Sequence, residues 1–149
     1  MLFALCFPAV ALMPEAQATN FRWQCVTFAR SFSGIEIRGN AHTWWEQSAG
    51  RYHRSSRPEV GAVLVFKSFG TGGMRLGHVA TISEVLNNRE VLITHANWTG
   101  KGEVDTNVRA VDVSPSGDWS RVRVWYPPVN DLGRTAYPAF GFIHPNYEG

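Results

Sequence analysis

The chain predicts an α+β fold, N-terminal helices packed on an antiparallel β-sheet, and three observations carry that expectation. Phe21, Cys25, Phe28 and Phe32 recur at helical spacing before a stop at Gly34. From Ala62 onward the pattern changes to short β-rich runs punctuated by Gly, Asn and Pro. The helical stretches precede the strands instead of alternating with them, which points away from parallel βαβ units.

Taken in order, residues 1–18 stand apart. Residues 2–13 are apolar, and Ala16 and Ala18 form the small-residue pair that signal peptidases accept, although no Lys or Arg precedes the apolar stretch. An export signal over 1–18 is expected, leaving 19–149 as a single domain in the periplasm or outside the cell. Its removal takes Cys6 away and leaves Cys25 as a lone thiol in an oxidising compartment. The first helix starts either at an Asn20 cap or near Gln24, and only the later start puts Cys25 in the first turn. A second short helix is expected over 41–49, between an Asn40 cap and Gly50. Strands follow at 62–67, at 78–85 and 90–98 joined through Asn87 and Asn88, at 107–113 and at 122–125. Beyond Pro127 the aromatics are scattered and no element is assigned.

Composition narrows the function. With 149 residues, 44% of them hydrophobic and 17% charged, the chain can bury one domain's core. The net charge is +2 and the basic residues are scattered singly, which excludes a phosphate-tracking stripe, so nucleic acid is not an expected partner. No apolar run reaches the roughly 18–20 residues of a membrane-spanning helix, so the mature form is expected to bind no membrane.

Alternation along 91–98 places His95 and Asn97 on one face, roughly 6–7 Å apart, with Trp98 on the other face and expected to pack. His78 opens the partner strand just after Gly77, and the preceding helix carries Cys25. A thiol, a base and an orienting group are what nucleophilic cysteine catalysis requires. A helix N-terminus and an adjacent imidazolium would lower the thiol pKa towards neutrality. The main-chain N–H of Cys25 is the natural oxyanion donor, with Gln24 as a candidate second. Of Trp44 and Trp45, which diverge by about 100° on a helix, at least one is core. His42, His53 and His144 lack a partner pattern and read as surface or structural. The glycines of 70–73 read as a mobile connection that could rim the cleft. Arg51, Arg54 and Arg57 read as a solvated loop, with attraction of a substrate's carboxylates as the alternative.

Trp23-Gln24-Cys25-Val26-Thr27-Phe28-Ala29-Arg30 resembles the nucleophile helix of the cysteine, histidine-dependent amidohydrolase/peptidase (CHAP) family. Gly39-Asn40-Ala41, followed by Trp44, is similar to its second helix, and Pro58-Glu59-Val60-Gly61 with the run after it to its central strand. Gly77-His78-Val79-Ala80 and His95-Ala96-Asn97-Trp98 are similar to its histidine and third-residue segments. The resemblance implies a papain-like cysteine hydrolase core that cleaves an amide bond in peptidoglycan, with stem peptides as its partners and no cofactor or metal. It implies Cys25 as nucleophile, His78 as general base and acid, His95 as the orienting residue and Asn97 in support. Family members more often carry an acidic residue where this chain has His95, whereas the related NlpC-type peptidases carry histidine, so the third member is either His95 or Asn97. With no wall-binding module in sight, targeting falls to the domain itself, to confinement in the periplasm or to a protein regulator. Two other readings are a non-catalytic wall-binding domain of the same fold and a zinc protein using Cys25, His78 and His95.

Overall fold

The computed structural model describes residues 22–146; the leader expected over 1–18, with Cys6, lies outside the described residues. Two short helices, α1 (Cys25–Ser33) and α2 (Trp44–Gln47), precede eight strands. The strands are β1 (Arg54–Ser55), β2 (Val63–Phe66), β3 (His78–Asn87), β4 (Glu90–Ala96), β5 (Val104–Asp112), β6 (Arg121–Tyr126), β7 (Asp131–Leu132) and β8 (Tyr137–Ile143). No helix among the described residues is long and apolar enough to cross a membrane.

The expected α+β arrangement, N-terminal helices packed on an antiparallel β-sheet in a papain-like core, is not what the chain adopts. It is mostly β: strands β2, β3, β4, β5, β6 and β8 run antiparallel around a closed six-stranded barrel. The difference comes from the tail that carries no readable pattern. β8 pairs with β2 along Val63↔Ile143 to Phe66↔Ala139, and with β6 through Arg121↔Pro138 and Val122↔Tyr137. Pro138 and Gly141 interrupt its alternation, yet it joins the two edges that would otherwise stay open. The second helix also shrinks, to a 3₁₀ turn at Ala41–Thr43 and the single turn of α2.

β2 separates two cores. Leu64 and Phe66 point into the barrel with Ala80, Ile82, Ile93 and Phe142, while Val63 and Val65 point outward to Ala29, Ile35, Ile37 and Trp44. That double burial explains its unbroken apolar run. α1 packs on the outer layer through Cys25, Val26 and Ala29, so of the expected stripe Cys25 faces that layer, whereas Phe28 and Phe32 are not among the residues packed there and Phe21 lies outside the described residues. Phe28 stacks on Phe32 instead, and Phe32 is exposed. Trp44 is core, and Trp45 stacks on Phe140 beneath the Arg54 guanidinium. Arg51 and Arg54 donate to the carbonyls of Glu36 and Trp45, so this loop is tied down more than solvated.

Gly77 sits where β3 meets the outer layer. Its φ is +73°, and a Cβ there would lie 2.6 Å from the Phe66 carbonyl oxygen and 2.8 Å from the His42 nitrogen. Both obstacles include main chain, so neither can swing aside. Gly77→Ala is therefore expected to lower the unfolding free energy by about 1–3 kcal/mol in denaturant titrations. Gly73→Ala, at a position with open space and no positive φ, is expected to change it by less than about 0.5 kcal/mol.

Candidate active site

The site forms at one end of the barrel, where β3 begins, β4 ends and α1 starts. α1 takes the later of its two expected starts. The Gln24 amide donates to Thr27 Oγ1 at 3.1 Å, and that hydroxyl donates to the Gln24 carbonyl at 3.0 Å. Cys25 is thus the first helical residue. The segment before it is held by a bridge between Trp23 and Gly102. The thiol is partly buried, and it is the free cysteine among the described residues.

His78 and His95 lie on neighbouring strands and face each other. His78 Nε2 is 2.8 Å from His95 Nδ1, with the ring planes 78° apart. Both are buried, at 4% and 1% exposure. Cys25, His78 and Asn97 line one groove of about 530 Å³ together with Gln24, Arg38 and Leu76. A second groove of about 790 Å³ shares His78 and Asn97 and runs on past Trp98, Tyr126 and Tyr137 to Arg123 and Arg134. The segment 70–73 borders both through Gly73.

Of the two expected third members, it is His95 whose ring meets His78. Asn97 is occupied elsewhere: its Oδ1 accepts from the Gly102 amide at 3.0 Å, and its own amide donates to the Glu103 carbonyl at 2.8 Å. Its φ of +64° also ends the strand alternation. In consequence Trp98 does not lie opposite His95 as expected. It turns onto the two imidazoles, with ring centroids 4.9 Å from His78 and 5.6 Å from His95. Phe66 and Tyr137 extend this aromatic packing.

Burial governs the electrostatics. It pushes the Cys25 thiol above its ordinary pKa, opposed by the main-chain amides of Val79, Val26 and Cys25. It holds His78 well below the usual imidazole range, with His95 adding in the same sense. His95 is pushed down to about 3 by burial. Burial thus favours the neutral form of all three groups and works against the lowered thiol pKa expected from helix start and imidazolium. The zinc reading needs Cys25, His78 and His95 to converge on one point, whereas the two ring nitrogens point at each other. No His, Cys, Asp and Glu cluster among the described residues has metal-site geometry.

One neighbour escapes a reading of spacing. His95 Nε2 is buried without a hydrogen-bond partner among the described residues, an arrangement that costs about 1–3 kcal/mol when nothing compensates it. Asp105 Oδ2 lies 3.7 Å away, on β5. The other histidines act structurally. His42 Nδ1 donates to the Leu76 carbonyl at 3.0 Å, just before His78. His144 bonds Ser55 and Glu59 beyond the Val63 end of β2, opposite the end that meets His78, and His53 packs against its ring.

The CHAP domain model matches residues 16–97, more than half of the chain. Comparison with curated proteins finds no match. Among solved structures, the crystal structure of an N-acetylmuramoyl-L-alanine amidase from Staphylococcus aureus superposes with a TM-score of 0.53 at 19% sequence identity. The superposition covers 78% of this chain and 30% of that one, so the chain spans under a third of that structure's length. At that identity the likeness speaks for the fold, whereas the match to 16–97 takes in Cys25, His78, His95 and Asn97, and on it the chain belongs to the CHAP domain family.

Proposed function

We propose that the protein is an exported peptidoglycan hydrolase, residues 1–18 its leader and 19–149 its catalytic domain, that cleaves an amide bond through a cysteinyl acyl-enzyme. The observation that carries this is the buried His78–His95 pair at the lip of a groove that Cys25 also lines. Membership of the CHAP domain family supports it, as does the name of the staphylococcal amidase with a similar fold.

The chemistry follows from which nitrogens are taken. His78 Nε2 is engaged by His95, which leaves Nδ1 for the thiol. As the sulfur attacks the substrate carbonyl, the S–H proton passes to Nδ1, and the carbonyl π electrons move onto oxygen. The Cys25 N–H, at the first helical position where no intrahelical acceptor is available, would hold that oxyanion. The tetrahedral intermediate collapses, the C–N bond breaks, and Nδ1–H protonates the departing amine. Water then attacks the thioester with Nδ1 as base, releasing a carboxylate and restoring the thiol. Because thiol and imidazole both rest neutral, His78 acts as a general base during attack and does not wait as one half of an ion pair. The groove beyond His78 presents the faces of Trp98, Tyr126 and Tyr137 and the cations Arg123 and Arg134, which suit sugar rings and stem-peptide carboxylates.

Purified sacculi digested with the full chain and analysed by mass spectrometry test this reading. Soluble muropeptides are expected from the wild type, and the product masses assign the bond, either muramic acid to L-alanine or a peptide bond of the stem or cross-bridge. Cys25→Ala is expected to release none, and His78→Ala to be slower by about 10³-fold. Equal release by wild type and Cys25→Ala would favour neither cysteine chemistry nor this protein as the hydrolase. Sacculus binding without release would leave the wall-binding reading.

The protonation state has its own readout. Since the thiolate alone reacts with iodoacetamide and the thiol pKa is raised, alkylation of Cys25 should climb about tenfold per pH unit from 6 to 8 without levelling. A plateau below pH 8 would mean a preformed thiolate–imidazolium pair instead.

A further inference from the structure

We propose that Asp105 is a positioning residue which, through His95, fixes the proton of His78 on Nε2 and so keeps Nδ1 free to act as the base. The inference rests on the cysteine-hydrolase reading above and adds a fourth member behind its third.

The register of β4 and β5 places Asp105 there. Ile93 pairs with Val108, and an unbroken ladder would set Thr106 opposite His95. The register shifts between these pairs, so that His95 faces Asp105 instead. The extra residue falls at Thr106–Asn107, where Asn107 takes a φ of +52° and its amide bonds to Thr94 Oγ1 at 3.1 Å. A bulge of this kind re-aims a side chain while bending the strand locally. Here it exchanges a hydroxyl for a carboxylate behind the imidazole.

The carboxylate is itself held. Thr99 Oγ1 donates to Asp105 Oδ2 at 2.5 Å, and the Asp105 side chain is 14% exposed. Its Oδ2 is 3.7 Å from His95 Nε2, the buried ring atom that has no other partner among the described residues. At that separation the contact is electrostatic, and it closes to a hydrogen bond with a small shift of either side chain.

Two tautomers of a neutral His95 fit the His78 contact, and they have opposite consequences. With the His95 proton on Nδ1, that N–H donates to His78 Nε2, which forces the His78 proton onto Nδ1, facing the thiol. No base then remains. With the proton on Nε2, His95 Nδ1 accepts from His78 Nε2–H, and His78 Nδ1 is free. A carboxylate beside His95 Nε2 selects the second state, because only an N–H there is attracted to it. When His78 takes the thiol proton and becomes cationic, the same negative charge lies in line behind it. The charged and titratable groups that meet His95 are His78 from β3 and Asp105 from β5. No Lys or Arg among the described residues makes an ion pair with Asp105 to offset its charge.

Long-range ¹H–¹⁵N correlation spectra of the histidine rings in the full chain at pH 7 read the tautomers directly and require no turnover. The wild type should carry its proton on Nε2 in both His78 and His95. In Asp105→Ala the His95 proton should redistribute towards Nδ1, and turnover of soluble muropeptides should fall about 10–100-fold with KM little changed. Asp105→Glu should recover both signals, which loss of packing alone would not allow. A wild-type His95 protonated on Nδ1 overturns the proposal, whether or not the Ala variant folds. So does Asp105→Ala with unchanged tautomers, or with altered tautomers and full turnover. Should Cys25→Ala prove as active as wild type, the cysteine-hydrolase reading falls, while the wild-type spectrum still decides which nitrogen Asp105 protects.

Discussion

Barrel closure by β8 is the constraint on which the site depends. A hydrogen-bonded ring admits only registers that return each strand to its starting neighbour. Once β8 joins β2 on one side and β6 on the other, the offsets around the ring are set together. Those offsets place the first residue of β3 and the penultimate residue of β4 at the same end, ring against ring. They also leave β2 buried on both faces, with the helix that carries Cys25 against its outer layer. Cys25 therefore reaches the groove from outside the barrel and His78 from its rim.

Burial then decides what kind of acid–base machinery this can be. A charged imidazole surrounded by Phe66, Trp98 and the barrel core would lack most of the water that stabilises it, and the pKa values of both histidines fall accordingly. The thiol is shifted upward by the same cause. Burial of this kind disfavours separated charge at rest, and under the mechanism proposed above charge would develop during attack, where the low polarisability of the surroundings makes each oriented dipole and carboxylate count for more.

What the primary structure makes legible follows from how local each signal is. The strands from β2 to β6 announce themselves by alternation or by an unbroken apolar run, whereas the start of α1 stays open between two caps until the bond between Gln24 and Thr27 decides it. The facing of His78 and His95 needs only a hairpin and the period of two. β8 is not legible because its evidence is non-local: Pro138 and Gly141 spoil the pattern, and its pairing partners lie far off in the chain. Without β8 the natural inference is an open sheet needing helices to cover it, which is how the fold expectation went astray. Trp98 and Asp105 are hidden for another reason. Each follows a break in strict alternation, the left-handed Asn97 in one case and the irregularity at Asn107 in the other. A single residue of slippage exchanges the faces of everything beyond it.

The same breaks tie the two parts of the chain into one site. Residues 16–97 match the family model and contain the thiol and both imidazoles, but they end before β5, β6 and β8, half the strands of the barrel. Left alone, that portion would expose the free edges of β2 and β4, with nothing to hold the offset between them. The later strands supply that closure, the wall of the larger groove and the carboxylate behind His95. The residues after Asn97 are thus more than a frame for the site located earlier: the electrostatic environment of the His78–His95 pair is completed by a strand that carries neither imidazole.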